Sequence, residues 1–316
     1  MKRALVIGVS GQDGAYLSKL LLSKNYQVWG TSRDVEGNNF LNLKRLNLLS
    51  RIKLITLSTL DLSSFFHALE ESNPDEVYYL AGLSSVSLSF QNPVESIQSI
   101  TIGTLNLLEA CRSYNKEIRL YFAGSSECFG DTGGFKATEG TSFSPKSPYA
   151  IAKTSSYWLV NNYRESYNLK VCTGILFNHE SPLRPERFVT QKVISYAKRI
   201  SEGANNVLEL GSLDISRDWG WAPEYVEAMW LMLQQDKLND YVISTGETNS
   251  LKDFVKEVFL FYNLDWRRHV IINDKYKRPT DILYNGGNSL KAELDLGWKP
   301  KYKMKDIIKK MILDEV

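Results

Sequence analysis

Tyr149 and Lys153 are the residues whose spacing most suggests chemistry. They lie four positions apart in the segment Tyr-Ala-Ile-Ala-Lys, which directly follows Pro148. A proline at this place is typical of the first turn of a helix, so the phenol and the ammonium are predicted to share one helix face. A nearby ammonium stabilises a phenolate, which allows a tyrosine with an ordinary pKa of about 10 to act as a base closer to neutrality. The same spacing occurs by chance on many helices, so the interpretation needs support from other residues.

Ser125 and Glu127 supply that support. They follow a strand predicted at residues 118–123, at the edge where open parallel sheets bind their ligands. The Ser125 hydroxyl could hydrogen-bond the same substrate oxygen as Tyr149. The Glu127 carboxyl could act first as a base and then as an acid, as the removal of a proton followed by the loss of a hydroxyl requires. The alternative for Glu127 is a salt bridge in a surface loop.

A glycine-rich turn follows the first predicted strand. Gly8, Gly11 and Gly14 have the spacing G-x-x-G-x-x-G, with Gln12 and Asp13 between the second and third glycines. Glycines at such a turn let backbone N–H groups approach a pyrophosphate at the start of a helix. We therefore predict a dinucleotide site, against the alternative of an ordinary strand-to-helix turn.

The end of the second predicted strand bears on which dinucleotide is bound. An acidic residue there favours NAD and an arginine favours NADP, and the sequence Thr-Ser-Arg-Asp offers both. Arg33, with Ser32 as a second phosphate donor, predicts NADP, unless Arg33 is only a solvated loop charge. Asp61, which precedes Leu62, is predicted either to accept a hydrogen bond from the adenine amino group or to cap the next helix.

Apolar segments alternate with helical patterns through the first half of the chain. This alternation predicts an α/β fold with a doubly wound, parallel, Rossmann-type sheet. The predicted strands cover residues 3–7, 27–31, 53–57, 76–80, 118–123, 170–177 and 241–245. Residues 178–185 are predicted to form a polar, proline-containing loop that ends the alternation.

Two interleaved lobes are predicted from these elements. Residues 1–177 would bind the cofactor, together with a return segment at about 220–246. Residues 178–219 and 247–316 would form a smaller C-terminal lobe that binds the substrate.

The composition excludes several classes of protein. Lys and Arg number 38 against 36 for Asp and Glu, so no basic excess indicates binding to nucleic acid or to an anionic membrane surface. The longest apolar runs are too short to span a bilayer, and the first residues are typical of a strand rather than a signal peptide. Three scattered cysteines, Cys111, Cys128 and Cys172, lack metal-ligand spacing, and we expect a protein of the reducing cytoplasm with no metal site.

Longer motifs extend these observations. The segments concerned are Gly-Gln-Asp-Gly-Ala-Tyr-Leu from Gly11, Gly-Ile-Leu-Phe-Asn-His-Glu-Ser-Pro from Gly174, Arg-Asp-Trp-Gly from Arg217, Tyr-Val-Glu-Ala-Met-Trp from Tyr225 and Leu-Gly-Trp-Lys-Pro from Leu296. Over nearly its whole length the chain resembles the GDP-mannose 4,6-dehydratases, within the extended short-chain dehydrogenase/reductase superfamily.

This resemblance implies a lyase that uses a tightly bound NADP. Tyr149 would take the O4 proton of GDP-mannose while C4 gives a hydride to NADP, and Glu127 would then remove the C5 proton as water leaves from C6. Return of the hydride to C6 would give GDP-4-dehydro-6-deoxy-D-mannose. Ser125 and Lys153 complete the implied catalytic set, with serine in place of the family's threonine.

The resemblance also implies the substrate contacts and an assembly. The residues that it places on the sugar nucleotide are Ser85, Asn178, Val189, Lys192, Arg217 and Arg278. A homo-oligomer is implied, a dimer through the helices that carry Tyr149 and residues 103–111, or a tetramer. The segment around Arg33 lacks the family's paired arginines and serine cluster, which bind NADP and bridge subunits.

Three alternatives stay open at this point. A GDP-manno-heptose could replace the hexose, because residues around the sugar pocket depart from the family pattern. A 4-reductase or epimerase of sugar nucleotides would use Tyr149 and Lys153 but would not need Glu127. A cofactor-sensing protein without catalysis would not need Ser125, Glu127, Tyr149 and Lys153 together.

Overall fold

The structure is a computed structural model that describes residues 1–316. It contains fourteen strands, and their bounds are β1 (Arg3–Ile7), β2 (Gln27–Ser32), β3 (Lys53–Thr56), β4 (Glu76–Tyr79), β5 (Arg119–Ala123), β6 (Lys136–Ala137), β7 (Val171–Leu176), β8 (Asn178–Glu180), β9 (Leu208–Leu210), β10 (Ser216–Trp221), β11 (Tyr241–Ile243), β12 (Thr248–Ser250), β13 (Val270–Ile272) and β14 (Tyr284–Gly287).

Twelve α-helices connect these strands. They are α1 (Gln12–Ser23), α2 (Leu41–Arg45), α3 (Leu62–Ser72), α4 (Val86–Gln91), α5 (Pro93–Ile97), α6 (Gly103–Ser113), α7 (Pro148–Tyr167), α8 (Val189–Ser201), α9 (Ala222–Gln234), α10 (Leu251–Phe261), α11 (Leu290–Leu296) and α12 (Met304–Ile312). A π-helical segment, Gln98–Ile102, joins α5 to α6.

Seven of the strands form one large sheet in the order β11-β7-β5-β4-β1-β2-β3, and all neighbours in it are parallel. The strand order reverses between β1 and β4. In sheets of this kind the crevice outside the carboxyl ends of the strands at the reversal is where ligands bind. The doubly wound α/β fold predicted from the sequence is thus confirmed.

Both faces of this sheet are buried, which explains why its strands are apolar at successive positions rather than at alternate ones. Along β1, Ala4 and Val6 pack into one apolar cluster with residues of α1 and α9. Leu5 and Ile7 point the other way, into a cluster with residues of α3, α6 and α7. The helices therefore hold the sheet between two layers and leave the strand ends available.

A second, smaller sheet lies beyond the large one. Its strands follow the order β12-β10-β14-β6, and β8 also pairs with β10. Asn178–Glu180 thus form a short strand, and the loop predicted for residues 178–185 was wrong at its start. The reason is that backbone pairing with Trp219–Trp221 compensates for a polar sequence that alone has little preference for a strand.

The chain returns to the large sheet after β10. Helix α9 packs beside α1, and β11 pairs with β7 at the sheet edge. A separate apolar cluster forms among α8, α10, α12 and nearby strands. On this topology we propose the division into two interleaved lobes with the bounds given above. None of the helices combines the length and the apolar character that crossing a membrane requires.

Candidate active site

Helix α7 positions Tyr149 and Lys153. Its N-terminus is fixed by Ser147, whose hydroxyl accepts a hydrogen bond from the Ala150 N–H at 3.1 Å, and by Pro148 in the first turn. Lys153 is buried, and its ammonium donates to the carbonyl oxygen of Ala123, the last residue of β5, at 2.7 Å. The helix face that carries both side chains is thereby held against the carboxyl end of the central strands.

Ser125 and Glu127 come from the chain that leaves β5. The Ser125 hydroxyl accepts a hydrogen bond from the Glu127 N–H at 3.3 Å and caps a short 3₁₀ turn, Ser126–Phe129. The predicted hydroxyl and carboxyl are therefore fixed relative to each other by one local turn. Both line the same cavity as Tyr149 and Lys153.

Burial governs the protonation of the Tyr149 and Lys153 pair. It raises the pKa of the Tyr149 phenol, although the Ser125 hydroxyl acts in the opposite direction. Burial also lowers the pKa of Lys153 to about 8. At neutral pH Lys153 thus remains mainly an ammonium, and its charge lies one helical turn from a phenol that needs positive charge before it can ionise.

The cavity that these four residues line has a volume of about 320 Å³. Every residue that the sequence analysis assigned to the substrate lies in its wall, namely Ser85, Asn178, Val189, Lys192, Arg217 and Arg278. The wall also contains Ala123 of β5, Leu176 of β7 and Trp219 of β10, so the cavity lies between the large sheet and the smaller one.

Arg217 gives this cavity a buried cation. One guanidinium nitrogen of Arg217 donates to the carbonyl oxygens of Ser216 and Ile282, at 2.9 and 2.8 Å. The other nitrogen has no hydrogen-bond partner and lies 3.6 Å from a carboxylate oxygen of Asp281. Burial lowers the pKa of Arg217, and the negative charge of Glu127 opposes that shift. A buried donor without a partner at a cavity wall fits an anionic ligand.

Two further cations lie in the same wall. Arg278 is 3.8 Å from the Asp281 carboxylate that also faces Arg217. Lys192, on α8, donates to the Glu209 carbonyl oxygen at 2.7 Å and lies 4.4 Å from the centre of the Tyr276 ring. These cations can bind a diphosphate, and the aromatic ring can cover a flat base.

A second cavity, of about 590 Å³, lies over the glycine-rich turn. Gly8 has a φ of +94°, in the region that favours glycine, and a Cβ on Gly14 would lie 2.4 Å from the Gly8 carbonyl oxygen. The turn can therefore be this tight only with glycines at these two positions. The cavity above it fits a dinucleotide, with its pyrophosphate at the start of α1.

Gln12 and Asp13 also line this second cavity, and their side chains contact His179 and Ser181. The Gln12 amide donates to the His179 carbonyl oxygen at 3.1 Å and accepts from the Ser181 hydroxyl at 2.8 Å. A carboxylate oxygen of Asp13 lies 2.9 Å from the His179 Nε2. The glycine-rich turn is thus held by its side chains to β8 and to the residue that follows it.

Arg33 lines the far end of the second cavity and is largely exposed. Ser32, predicted to assist it, has its hydroxyl engaged with the Asp34 carbonyl oxygen and the Asn38 amide. Asp61 caps α3 by accepting from the Ser63 N–H at 3.0 Å, and neither Asp61 nor Leu62 is among the residues that line the cavity. An adenine contact for these two remains a prediction.

Known proteins match this chain over nearly its whole length. The sequence model described as GDP-mannose 4,6 dehydratase matches residues 5–311. GDP-mannose 4,6 dehydratase 1 of Arabidopsis thaliana is 44% identical over all of this chain and 90% of its own length. The human GDP-mannose 4,6 dehydratase is 36% identical over 99% of this chain and 91% of its own length. The chain belongs to the GDP-mannose 4,6-dehydratase family.

Solved structures agree with this family at the level of the fold. The UDP-glucose 4-epimerase of Thermus thermophilus, in complex with NAD, superposes with a TM-score of 0.86 at 26% identity and covers 99% of this chain and 98% of its own. A dTDP-glucose 4,6-dehydratase of Streptomyces venezuelae, with NAD bound, has a TM-score of 0.88 at 20% identity and covers 98% and 96%.

Three residues of this dehydratase-family site were not assigned from the sequence. The sequence indicates no role for His179, yet this residue contacts Asp13 at the glycine-rich turn. Arg184 and Arg187 line both cavities, and their guanidinium groups lie 3.7 and 5.0 Å from the centre of the Phe188 ring. The only available signal was the cluster of two arginines after the Asn-His-Glu-Ser motif, which on its own is typical of a surface loop.

Proposed function

We propose that this protein removes water from GDP-mannose and forms GDP-4-dehydro-6-deoxy-D-mannose. The observation that carries the proposal is that Glu127 lines the same cavity as Ser125, Tyr149 and Lys153. Oxidation and reduction at C4 need only a hydroxyl, a phenol and an ammonium. Elimination across C5 and C6 also needs a group that removes a proton and then gives one back, which a single carboxyl can do. The membership of the chain in the GDP-mannose 4,6-dehydratase family supports the same reaction.

Tyr149 is proposed as the base that takes the O4 proton. Its phenol is held protonated by burial, so ionisation requires the positive charge of Lys153 one helical turn away. Ser125 can donate to or accept from the same substrate oxygen and so keep it aligned. Lys153 itself is fixed by the Ala123 carbonyl oxygen, which keeps its charge in place throughout the reaction.

Glu127 is proposed to act on C5 and C6. A ketone at C4 makes the C5 hydrogen acidic, and a carboxylate at the cavity wall can take it. The same carboxyl, now protonated, can give its proton to the departing C6 hydroxyl, so water leaves without a second acid. The negative charge of Glu127 in turn opposes the lowering of the Arg217 pKa by burial, so the carboxyl also helps to keep this buried guanidinium charged.

A nicotinamide dinucleotide is the proposed cofactor, and we assign it as NADP on the strength of Arg33. When bound, it supplies an acceptor for the hydride from C4 and a donor for the hydride to C6. The residues proposed to hold it are Gly8, Gly11, Gln12, Asp13, Gly14, Arg33, Asp61, Leu62, Tyr149 and Lys153. The second cavity and its tight glycine turn support this placement, since the turn leaves room for a pyrophosphate at the start of α1.

The sugar nucleotide is proposed to lie in the first cavity. Its diphosphate would meet Arg217 and Arg278 in competition with Asp281, which both arginines now face. Lys192 and Asn178 would also contact the diphosphate, Val189 would contact the base, and Ser85 would contact the sugar. The unpartnered nitrogen of Arg217 supports this arrangement.

We further propose a homodimer through α6 and α7. Ile102, Ile151 and Trp158 are large apolar residues in or beside these helices, and 41, 46 and 61% of each is exposed. A second copy that covers them would bury this apolar surface. The helix that carries the catalytic pair would then be packed on both sides.

The experiment that tests the function is mass spectrometry of GDP-mannose after incubation with the purified protein. Loss of one water without added cofactor is the expected result, because the hydride returns to the substrate and the dinucleotide is not consumed. GDP-manno-heptose is assayed in parallel. If only GDP-manno-heptose lost water, the substrate would be the heptose and not the hexose. If the masses of both sugar nucleotides stayed unchanged in the presence of NADP, the proposal would be contradicted.

A further inference from the structure

Two opposite charges line the second cavity where the adenosine of the proposed cofactor would lie, and they come from different elements. Arg33 follows β2, and Glu95 lies in the first turn of α5. A guanidinium nitrogen of Arg33 is 3.9 Å from a carboxylate oxygen of Glu95, and both residues line the cavity. The residue proposed to bind a 2′-phosphate is therefore already paired with an acid.

Among the acidic residues near Arg33, Glu95 is the one that lines the second cavity and has no other partner. Asp34, which is nearer to Arg33 in sequence, accepts a hydrogen bond from the Gly37 N–H at 2.7 Å and does not line the cavity. Asp13 lines the cavity but is committed to His179. The Glu95 carboxylate makes no hydrogen bond within the protein, its contact with Arg33 being the long ion pair alone, and 54% of the side chain is exposed.

The charges of Arg33 and Glu95 would interact differently with NAD and with NADP. A 2′-phosphate carries close to two negative charges and would face one cation and one anion at this end, since Arg184 and Arg187 lie where the two cavities join. It would have to draw Arg33 away from Glu95 and would be repelled by the carboxylate. A 2′-hydroxyl carries no charge and can donate a hydrogen bond to the same carboxylate.

We infer that Glu95 determines how this protein chooses between NAD and NADP, because its carboxylate competes with a 2′-phosphate for Arg33 and accepts a hydrogen bond from the 2′-hydroxyl of NAD. Arg33 favours NADP, and Glu95 weakens that preference without reversing it. The inference deepens the proposed function and rests on it only in requiring a nicotinamide dinucleotide in the second cavity.

The test measures which dinucleotide the protein retains, without any turnover. Purified protein is equilibrated with an equimolar mixture of NAD and NADP, freed of unbound nucleotide, and extracted, and the two dinucleotides are quantified. Glu95→Gln removes the charge and keeps the shape, and it is expected to raise the retained NADP-to-NAD ratio by about two- to fivefold, the modest size that exposed charges allow. Arg33→Gln is expected to lower the ratio by a similar factor.

Controls separate the possible outcomes. Glu70→Gln changes an exposed glutamate on α3 outside the cavity and should leave the ratio unchanged. The double variant, Arg33→Gln with Glu95→Gln, shows how much of the change in the NADP-to-NAD ratio caused by Glu95→Gln depends on the presence of Arg33. The shift should shrink at high salt, since screening weakens exposed charges.

A ratio in Glu95→Gln within a factor of about 1.5 of the wild type, or a shift toward NAD, would overturn the inference while leaving the proposed function intact. Wild-type protein that retained neither dinucleotide would instead contradict the proposed function itself. The two failures are therefore distinguishable in one experiment.

Discussion

Asp13 and His179 join the glycine-rich turn to the strand β8 across 166 positions of sequence, with 2.9 Å between the carboxylate oxygen and Nε2. Burial opposes the charged form of both groups, but their mutual contact outweighs it. The pKa of Asp13 falls to about 2, and the pKa of His179 rises above its ordinary value of 6.5. The His179 Nδ1 lies 2.7 Å from the Phe177 carbonyl oxygen, so the ring is oriented from both sides. The charged forms of Asp13 and His179 therefore stabilise each other, next to the neutral hydrogen bonds that Gln12 makes to the same segment.

The first prediction concerns the pH dependence of stability that this pair produces. A raised folded-state pKa of His179 gives stability that is fully present below about pH 6.5 and is lost as the pH rises through the folded value. A lowered pKa of Asp13 gives stability that is present above about pH 4 and is lost as the pH falls toward 2. The difference in Tm between wild type and Asp13→Asn should therefore be largest between about pH 4 and 6.5.

Thermal denaturation from pH 4 to 9 measures this difference. The charge of Arg184 favours ionised Asp13 and opposes charged His179. Because Arg184 is present in every sample, it does not change the sign of the expected Tm difference. The Tm difference between wild type and His179→Gln should be largest in the same pH range. The Tm of the double variant, Asp13→Asn with His179→Gln, should differ little from that of either single variant. A Tm difference that did not vary with pH would show that the pair is not ionic.

The second prediction concerns Glu127→Gln. The amide keeps the shape of the carboxyl but cannot take or give a proton, so the rate of dehydration should fall by about 10²- to 10⁴-fold. Binding of GDP-mannose should change little, and exchange of the C5 hydrogen with deuterated water should disappear. Mass spectrometry of the product and NMR of the C5 position provide the measurements. Retention of the full rate of dehydration would contradict the role of Glu127.

The third prediction concerns Arg278 at the proposed diphosphate site. Arg278→Gln removes one charge-assisted donor from the cavity wall and should raise KM for the sugar nucleotide by about tenfold or more, with a smaller effect on kcat. The matched control is Arg268→Gln, since Arg268 is exposed and lies outside the cavity. Equal KM values for the two variants would exclude Arg278 from substrate binding.

The fourth prediction concerns Gly14→Ala. The new Cβ would lie 2.4 Å from the Gly8 carbonyl oxygen and 2.7 Å from the Val9 Cα, so the backbone of the turn must move. Overpacking of this kind costs about 1–3 kcal/mol, and the displaced turn should no longer retain a dinucleotide through purification. Gly140→Ala is the control, because its nearest neighbour, the Thr138 hydroxyl, lies at 3.9 Å. Denaturant unfolding and extraction of bound nucleotide distinguish the two, and dinucleotide retention in Gly14→Ala equal to the control would contradict the role of the turn.

The alternation of apolar strands with helices determined the fold class from the sequence alone. A strand buried on both faces must be apolar at nearly every position, and this local requirement is visible without any tertiary information. The same holds for the start of α7, where Ser147 and Pro148 are local signals of a helix N-terminus. Tyr149 and Lys153 then share a helix face as a consequence of helix geometry.

Other features depended on the tertiary structure. Asn178–Glu180 became a strand only through pairing with β10, about 40 residues later in the chain. Asp13 and His179 met because β8, which directly follows β7 of the large sheet, lies beside the glycine-rich turn. Arg33 and Glu95 likewise met through the position of α5 and not through any motif. Residue types and spacings report local conformation, whereas contacts between distant segments arise when the lobes pack, and they determine which of the charged residues face a cavity.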